Sequence, residues 1–111
     1  LVASRSLIIN NSLTLNGQDT ATTGAGIRIT GADNRVEGNN CTGNDNGIRA
    51  DAVGSIIRGN TCSGNSSNWE IAIGNSVGPI AVAGTNAAAI SGNGPAASTL
   101  GSTDPSANYS Y

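Results

Sequence analysis

The chain of 111 residues contains no histidine, lysine, methionine or phenylalanine, and its aromatic residues are Trp69, Tyr109 and Tyr111. Histidine and lysine are common general bases in enzymes, so their absence leaves few side chains that could act as catalytic acids or bases. Two cysteines without a histidine are too few for a usual metal site. We therefore expect a protein that is not an enzyme and that holds neither a metal ion nor another cofactor.

Charged residues are also scarce. Five arginines and seven acidic residues give a net charge of −2, whereas binding to nucleic acid or to an anionic membrane needs a basic excess. No apolar run approaches the roughly 20 residues of a membrane span. We expect no nucleic-acid partner and no membrane insertion. The start at Leu1, without the features of a signal peptide, fits either a mature product or a fragment.

A pattern that occurs twice dominates the middle of the chain. Segments 26–46 and 47–67 superpose at a spacing of 21 residues, and a fixed period of this length indicates a solenoid. A less complete copy covers residues 6–16 at an offset of 28, so we expect the surplus to form a loop over 17–25. The shared positions are Gly26/Gly47, Ile27/Ile48, Arg28/Arg49, Gly38/Gly59, Asn39/Asn60, Cys41/Cys62, Gly43/Gly64 and Asn44/Asn65.

Each repeat is predicted to hold three short strands separated by Gly/Asn corners. Apolar and polar residues alternate, as in strands buried on one face: Ile27 and Ile29 point inward and Arg28 points outward. The sequence therefore predicts an all-β parallel β-helix, or β-solenoid, of about three to four coils of about 21 residues each. The other predicted strands of the repeats are 7–9, 12–14, 35–37, 40–42, 48–50, 56–58, 61–63 and 69–71.

Asparagines recur at the predicted corners. Asn11, Asn39 and Asn60 occupy equivalent positions, and we expect their side chains to stack as an internal ladder that satisfies the backbone of a tight turn. A second, more exposed file is expected from Asn16, Asn44 and Asn65. Asp33, Asp45 and Asp51 also fall at corners, where turn formation alone explains an aspartate.

The two cysteines occupy one column of the repeat. Cys41 and Cys62 follow Leu13 at the inward-facing position of the third strand, and neighbouring strands lie about 4.8 Å apart. Stacked thiols that fill the core are favoured over a disulfide, because side chains stacked in parallel strands point the same way. The disulfide stays open as an alternative. Trp69 is expected to point inward over Ile48.

Five segments of the chain share motifs with a known family: 34–44, 54–65, 68–72, 77–80 and 104–111. They resemble the C-terminal end of the bacterial right-handed parallel β-helix repeat proteins of the pectate-lyase-like superfamily. The resemblance implies a right-handed coil, a secreted or cell-surface location, a bacterial source and a longer parent chain. It also implies a functional face on the outward side of the first sheet, which here carries Arg28, Arg49 and Glu70.

The column of Arg28, Arg49 and Glu70 is the candidate ligand-binding site that the sequence predicts. Lyase chemistry like that of the family would need clustered carboxylates for Ca²⁺, and a hydrolase would need two carboxylates across a groove. The column has one acidic residue, so it fits either a surface ladder of charges or, as a functional alternative, two stacked guanidiniums that bind an anionic glycan.

The end of the chain departs from the repeat. Coils are predicted over residues 1–82, and the Ala/Gly/Ser-rich segment 83–111 is expected to cap its own chain or to bridge to a neighbour. Unpaired strand edges invite pairing with another chain. We therefore expect a non-catalytic extracellular structural protein that self-assembles by end-to-end stacking of coils into a filament or surface layer. The alternative is the terminal part of a polysaccharide-binding or polysaccharide-processing β-helix whose active groove lies elsewhere.

Overall fold

The structure is a computed structural model, and it describes residues 1–17 and 24–111. All regular secondary structure in these residues is β. They contain no helix that is long and apolar enough to cross a membrane. The strands are short, as expected between closely spaced corners. They are β1 Leu7–Ile9, β2 Ser12–Thr14, β3 Ala25–Ile29, β4 Arg35–Glu37, β5 Asn40–Thr42, β6 Asn46–Ala50, β7 Ile56–Arg58, β8 Thr61–Ser63, β9 Ser67–Ile71, β10 Ser76–Val77, β11 Ile80–Val82 and β12 Asn108–Ser110.

The strands form three sheets in which every pairing between strands is parallel. Sheet A has the order β3-β6-β9, sheet B has the order β1-β4-β7-β10, and sheet C has the order β2-β5-β8-β12-β11. Val2 adds an isolated parallel bridge to Ile29 at the free edge of sheet A. Consecutive strands from β1 to β11 fall in different sheets, which is consistent with a parallel β-solenoid, whereas β11 and β12 both belong to sheet C.

The strand register confirms the repeat read from the sequence. Ile27 lies beside Ile48, and Cys41 lies beside Cys62, at the offset of 21 residues. Ile8 lies beside Val36 at the offset of 28. The surplus therefore falls between the end of β2 and the start of β3. The loop expected over 17–25 lies mostly outside the described residues, and Ala25, its last residue, already belongs to β3.

The core is a narrow column of inward-facing side chains between the three sheets. β-branched residues dominate it because they pack well on a pleated surface. Trp69 lies beside Ile48 in the register and is partly buried against this cluster, which confirms its predicted inward orientation. The buried members are Ile27, Ile29, Val36, Cys41, Ile48, Ala50, Ile57 and Cys62.

The end of the chain adds a strand that the repeat did not predict. β12 lies between β8 and β11, so the last residues of the chain are hydrogen-bonded into sheet C. The segment 83–107 connects β11 to β12, and residues 84–101 within it are all exposed. Sheet C consequently extends one strand further than sheet B at this end of the stack.

Candidate functional site

The charged column predicted from the sequence lies on the outer face of sheet A. Arg28 of β3, Arg49 of β6 and Glu70 of β9 are neighbours in the register. Asp51, which directly follows β6, joins them: its carboxylate lies 2.9 Å from Nε of Arg28 and 2.7 Å from Nε of Arg49. Glu70 is more distant, at 3.6 Å from Nη1 of Arg49.

Asp51 changes the electrostatics of this column. Hydrogen bonds from Arg49 and then from Arg28 hold the pKa of the Asp51 carboxyl below its ordinary value. The hydrogen bond that Arg49 donates to Asp51 in turn raises the pKa of Arg49. The two arginines and the two carboxylates sum to zero charge. An anionic glycan would therefore have to displace Asp51, and this geometry favours the surface ladder of charges over the glycan site.

Sequence reasoning assigned Asp51 to a turn and missed this role. The signal was present, because residues two apart on a strand point to the same face, and Asp51 stands two positions after Arg49. Among the described residues, no group of three histidine, cysteine, aspartate or glutamate side chains could hold a metal ion.

A second ion-pair cluster lies on the outer face of sheet B. Glu37 accepts from Arg35 at 2.7 Å and lies 3.0 Å from Nη2 of Arg58. Leu7 and Ile9, exposed on the same face, line a shallow cleft beside this cluster. The cluster carries one net positive charge. Exposed ion pairs of this kind contribute about 0–1 kcal/mol each to stability, so it is a surface feature and not a preorganised site.

The asparagine ladder lies at the corner between sheets B and C. Oδ1 of Asn39 accepts from Nδ2 of Asn11 at 3.0 Å, and Oδ1 of Asn60 accepts from the backbone and side-chain amides of Asn39 at 2.9 and 3.0 Å. Asn108 adds a fourth member, accepting from both amides of Asn60 at 3.0 Å. Asn39, Asn60 and Asn108 are buried, and Asn11 at the end is exposed.

Asn108 was not expected in the ladder because it lies outside the repeat. A local signal exists: the triplet Asn108-Tyr109-Ser110 places a small residue two positions after asparagine, as Asn60-Thr61-Cys62 does. Ser110 takes the inward position beside Cys62, and its hydroxyl accepts a hydrogen bond of 2.7 Å from Nε1 of Trp69. The last strand thus completes both the corner and the core.

The ladder has a direction, so its two ends differ. Each Oδ1 accepts from the asparagine that precedes it along the chain. Oδ1 of Asn11 accepts no hydrogen bond from the described residues. At the other end, the backbone N–H of Asn108 donates to the carbonyl of Pro79 at 2.7 Å, and Ile80 lies beside Asn108 in the register. The asparagine ladder therefore ends at Asn108.

Two further corners are stabilised in the same way. Oδ1 of Asn44 accepts from the backbone of Asn16 at 2.8 Å, and Oδ1 of Asn65 accepts from the backbone of Asn44 at 2.8 Å, as the predicted second file requires. The third corner was missed by the sequence analysis. There Ser55 donates its backbone N–H to Oδ1 of Asn75 at 2.9 Å, and its hydroxyl accepts from Asn34.

The cysteine pair lies inside the core as two free thiols, each with no exposed surface. Contact with Cys41 and burial both raise the pKa of the Cys62 thiol. A cysteine with no exposed surface is out of reach of a substrate, and buried structural cysteines are inert. The pair therefore acts as core filling, and the adjoining glycines make room for it: a Cβ on Gly47 would lie 2.8 Å from Sγ of Cys62.

The C-terminal end of the stack leaves the core uncovered. Val82 of β11 lies beside inward-facing Ser110 in the register, and it is nevertheless 78% exposed. Ile80 on the same strand is 46% exposed, and Val77 of β10 is 39% exposed. The segment 83–107 does not bury these side chains. At the other end, Val2, Ile8 and Leu13 pack partly buried against the core.

A groove of about 780 Å³ lies between the outer face of sheet C and the segment 83–107. The ring of Tyr109 is tethered there, since its hydroxyl donates to the carbonyl of Ser102 at 3.4 Å. Asp104 is the charged residue of the lining. Sequence reasoning gave neither tyrosine a role. The lining residues are Gly59, Thr61, Ala83, Gly84, Thr85, Leu100, Asp104, Pro105, Ala107, Tyr109 and Tyr111.

No protein-family model, no curated protein and no solved structure matches the chain. The parallel sheets are compatible with the β-helix resemblance of the repeats. The superfamily itself stays a prediction. Three features are left to carry a functional proposal: the charged column, the groove at Tyr109, and the uncovered end of the stack.

Proposed function

We propose that the protein is a non-catalytic structural β-solenoid that acts outside the cell by assembling with copies of itself. In this proposal the chain is a right-handed parallel β-helix of about three to four coils of about 21 residues. Connections between parallel strands of one sheet are right-handed in nearly all proteins, which supports the handedness. The four parallel strands of sheet B support the coil number.

The observation that carries the proposal is the uncovered core at the C-terminal end. Ile80 and Val82 overhang the core at 46% and 78% exposure, next to the unpaired outer edge of β11. Exposed apolar side chains beside a free strand edge are a typical protein interaction surface. In a solenoid the natural partner of an open end is another solenoid, because stability comes from contacts between neighbouring coils.

The assignment as non-catalytic rests on the charged column. Arg28 and Arg49 are both held by Asp51, at 2.9 and 2.7 Å. Charges that are paired with each other on an open face stabilise the surface slightly, and in this column each carboxylate lies beside an arginine and is poorly placed to act as a base.

Sedimentation velocity over a concentration series, with electron microscopy of the same samples, tests the proposal. We expect oligomers that grow with concentration. Val82→Lys should weaken association at least tenfold, because it places a charge on the uncovered core. Ile90→Lys is the matched control, since Ile90 is 62% exposed within the segment 83–107 and should leave association unchanged. A monodisperse monomer at every concentration would overturn the proposal.

A second candidate, polysaccharide binding, is supported by the groove at Tyr109. An apolar groove with tethered aromatic rings and few polar groups is a usual small-molecule site, and its one charge, Asp104, would repel an anionic sugar. Titration with neutral and with acidic oligosaccharides, followed by intrinsic fluorescence, tests this second candidate.

Binding of neutral sugars that is lost in Tyr111→Ala would support the groove. Acidic sugars lost on Arg28→Ala or Arg49→Ala would support the charged column, and binding of neither class would exclude both.

A further inference from the structure

The strand β12 occupies a slot between two strands that precede it in the chain. On one side, the backbone N–H of Tyr109 donates to the carbonyl of Asn60 at 2.8 Å. On the other side, the backbone N–H of Asn108 donates to Pro79 at 2.7 Å, and that of Ala83 donates to Ser110 at 2.8 Å. Both edges of the strand are therefore paired, and β11 is joined to the rest of sheet C through β12.

The contacts in this slot are specific. Asn108 has no exposed surface: its Oδ1 accepts from both amides of Asn60, and its Nδ2 donates to the carbonyls of Ile57 and Gly78 at 3.2 and 3.0 Å. Ser110 accepts from Trp69. None of these contacts involves the exposed part of the connecting segment, so they would be identical if β12 came from a second copy of the chain.

The connecting segment is long enough to allow this. It spans about 25 residues, from Ala83 to Ala107, and a flexible chain of that length reaches roughly 25–30 Å. The molecule measures 46 × 29 × 21 Å, so the segment can extend from one molecule to a neighbour. Residues 84–101 are all exposed, and little packing has to be given up when the segment moves away.

Simple stacking of one chain on another is less well supported by the two ends. The asparagine ladder stops at Asn108 beside Ile80, so Oδ1 of Asn11, which accepts no hydrogen bond from residues 1–17 and 24–111, would meet no asparagine of a second copy. Sheet C also extends one strand beyond sheet B. If the N-terminal end of a second copy paired with β11, the outermost strand of sheet C, its strands in sheets A and B would be too far away to pair.

We propose that copies of the chain exchange β12, each inserting this strand between β8 and β11 of another copy. The inference rests on the proposed self-assembly and names its mechanism. Exchange of an identical element between copies is a low-cost route to oligomers, because the contacts of the element are reproduced. Reciprocal exchange gives a closed dimer, and successive exchange gives an open chain. In the closed dimer and in the open chain, the connecting segments 83–107 bring the uncovered C-terminal ends of neighbouring copies, with Ile80 and Val82, close together.

A cross-linking experiment with two variants tests the exchange. Tyr109 of β12 lies directly beside Thr61 of β8 in the register. Thr61→Cys chains and isotope-labelled Tyr109→Cys chains are mixed, unfolded and refolded together, and treated with a short bismaleimide. Cys41 and Cys62 have no exposed surface and should not react. We expect a covalent heterodimer whose mass spectrum contains the 61–109 cross-link.

The controls separate the possible outcomes. A chain that carries both substitutions should give the 61–109 cross-link, and wild-type protein should give none. If the double variant cross-links only within one chain and the mixture gives no heterodimer, exchange is overturned. A second pair, Ser63→Cys and Tyr111→Cys, covers the case in which Tyr109→Cys does not fold; the backbone N–H of Tyr111 donates to Cys62 at 3.2 Å, next to Ser63.

Sedimentation velocity on the same refolded wild-type protein distinguishes this inference from the proposed function. Oligomers without a heterodimeric 61–109 cross-link would overturn strand exchange and leave self-assembly standing. Monomers alone would overturn both. Oligomers with that cross-link would support both.

Discussion

At the scale of single residues, Asn60 makes as many side-chain hydrogen bonds as Asn39, its neighbour in the ladder. Its side chain accepts from two amides of Asn39 and donates to Val36, Arg58 and Asn108. Each buried group left without a partner costs about 1–3 kcal/mol. We expect Asn60→Leu to lower the free energy of unfolding by at least about 3 kcal/mol, measured by denaturant titration.

Asn65→Leu provides the comparison for Asn60→Leu. Asn65 is half-buried, and water can replace part of its hydrogen bonds to Asn44, Cys41 and Asn68. We expect a loss of about 1–2 kcal/mol. Equal losses in the two variants would contradict the assignment of the buried ladder as the more important corner.

Asp51 should make stability depend on pH in the acid range. Its pKa is lowered in the folded protein by hydrogen bonds from Arg49 and Arg28, from an ordinary value near 3.8. A lowered folded pKa means that the stabilisation is present above the unfolded pKa and is lost as the pH falls through the folded pKa.

We therefore expect Asp51→Asn to lower the free energy of unfolding at neutral pH by no more than about 1 kcal/mol, since the pairs are solvent-exposed. The difference from wild type should disappear when unfolding is measured well below pH 3.8. High salt at neutral pH should also reduce it. A difference that persists at low pH would mean that Asp51 acts through packing.

Gly47 shows how closely the backbone of sheet A approaches the core. A Cβ there would lie 2.6 Å from the carbonyl oxygen of Asn68 and 2.8 Å from Sγ of Cys62. Overpacking of this kind costs about 1–3 kcal/mol, and thermal unfolding of Gly47→Ala should report that loss. Gly94→Ala is the control: a Cβ there meets no atom within 4 Å, and we expect stability to be unchanged or raised by up to about 1 kcal/mol.

At the scale of elements, the segment 83–107 and strand β12 should contribute very differently to stability. Gly84 donates its backbone N–H to the carbonyl of Thr99 at 2.8 Å. Residues 86–97 therefore form an exposed loop whose two ends lie close together. Deleting 86–97 removes no buried contact, and loop length has a small effect on stability. We expect a change below about 1 kcal/mol in denaturant unfolding.

Loss of β12 should have the opposite result. A chain that ends at Ser106 would lack Asn108, would leave Asn60 without its ladder acceptor, and would expose the edge of β8. We expect a loss of at least about 3 kcal/mol by the same measurement. If removal of β12 were no more harmful than deletion of 86–97, β12 would be a peripheral strand and the exchange inference would lose its basis.

At the scale of the whole molecule, the sequence predicted what is periodic and missed what is not. The repeat at 21 residues fixed the partners of Ile27 and Cys41, because each turn of the chain places equivalent residues side by side. Asn108 was not predicted because it reaches the ladder only after the long, non-repetitive segment 83–107, where the chain pairs again with β8. Asp51 escaped because turn formation already accounts for an aspartate at a corner, although its spacing of two residues from Arg49 indicated a shared face.

The pattern of backbone hydrogen exchange should reveal which end of the molecule takes part in assembly. In the monomer, the strands from β4 to β8 each have paired neighbours on both sides, and we expect their amides to exchange most slowly. β1 and β2 form the opposite edge of sheets B and C. Strand exchange reproduces the contacts of β12 and leaves β1 and β2 free, so their exchange rates should be the same in monomer and oligomer. End-to-end stacking would instead pair these edges, and slower exchange in β1 and β2 on assembly would contradict strand exchange as the mechanism.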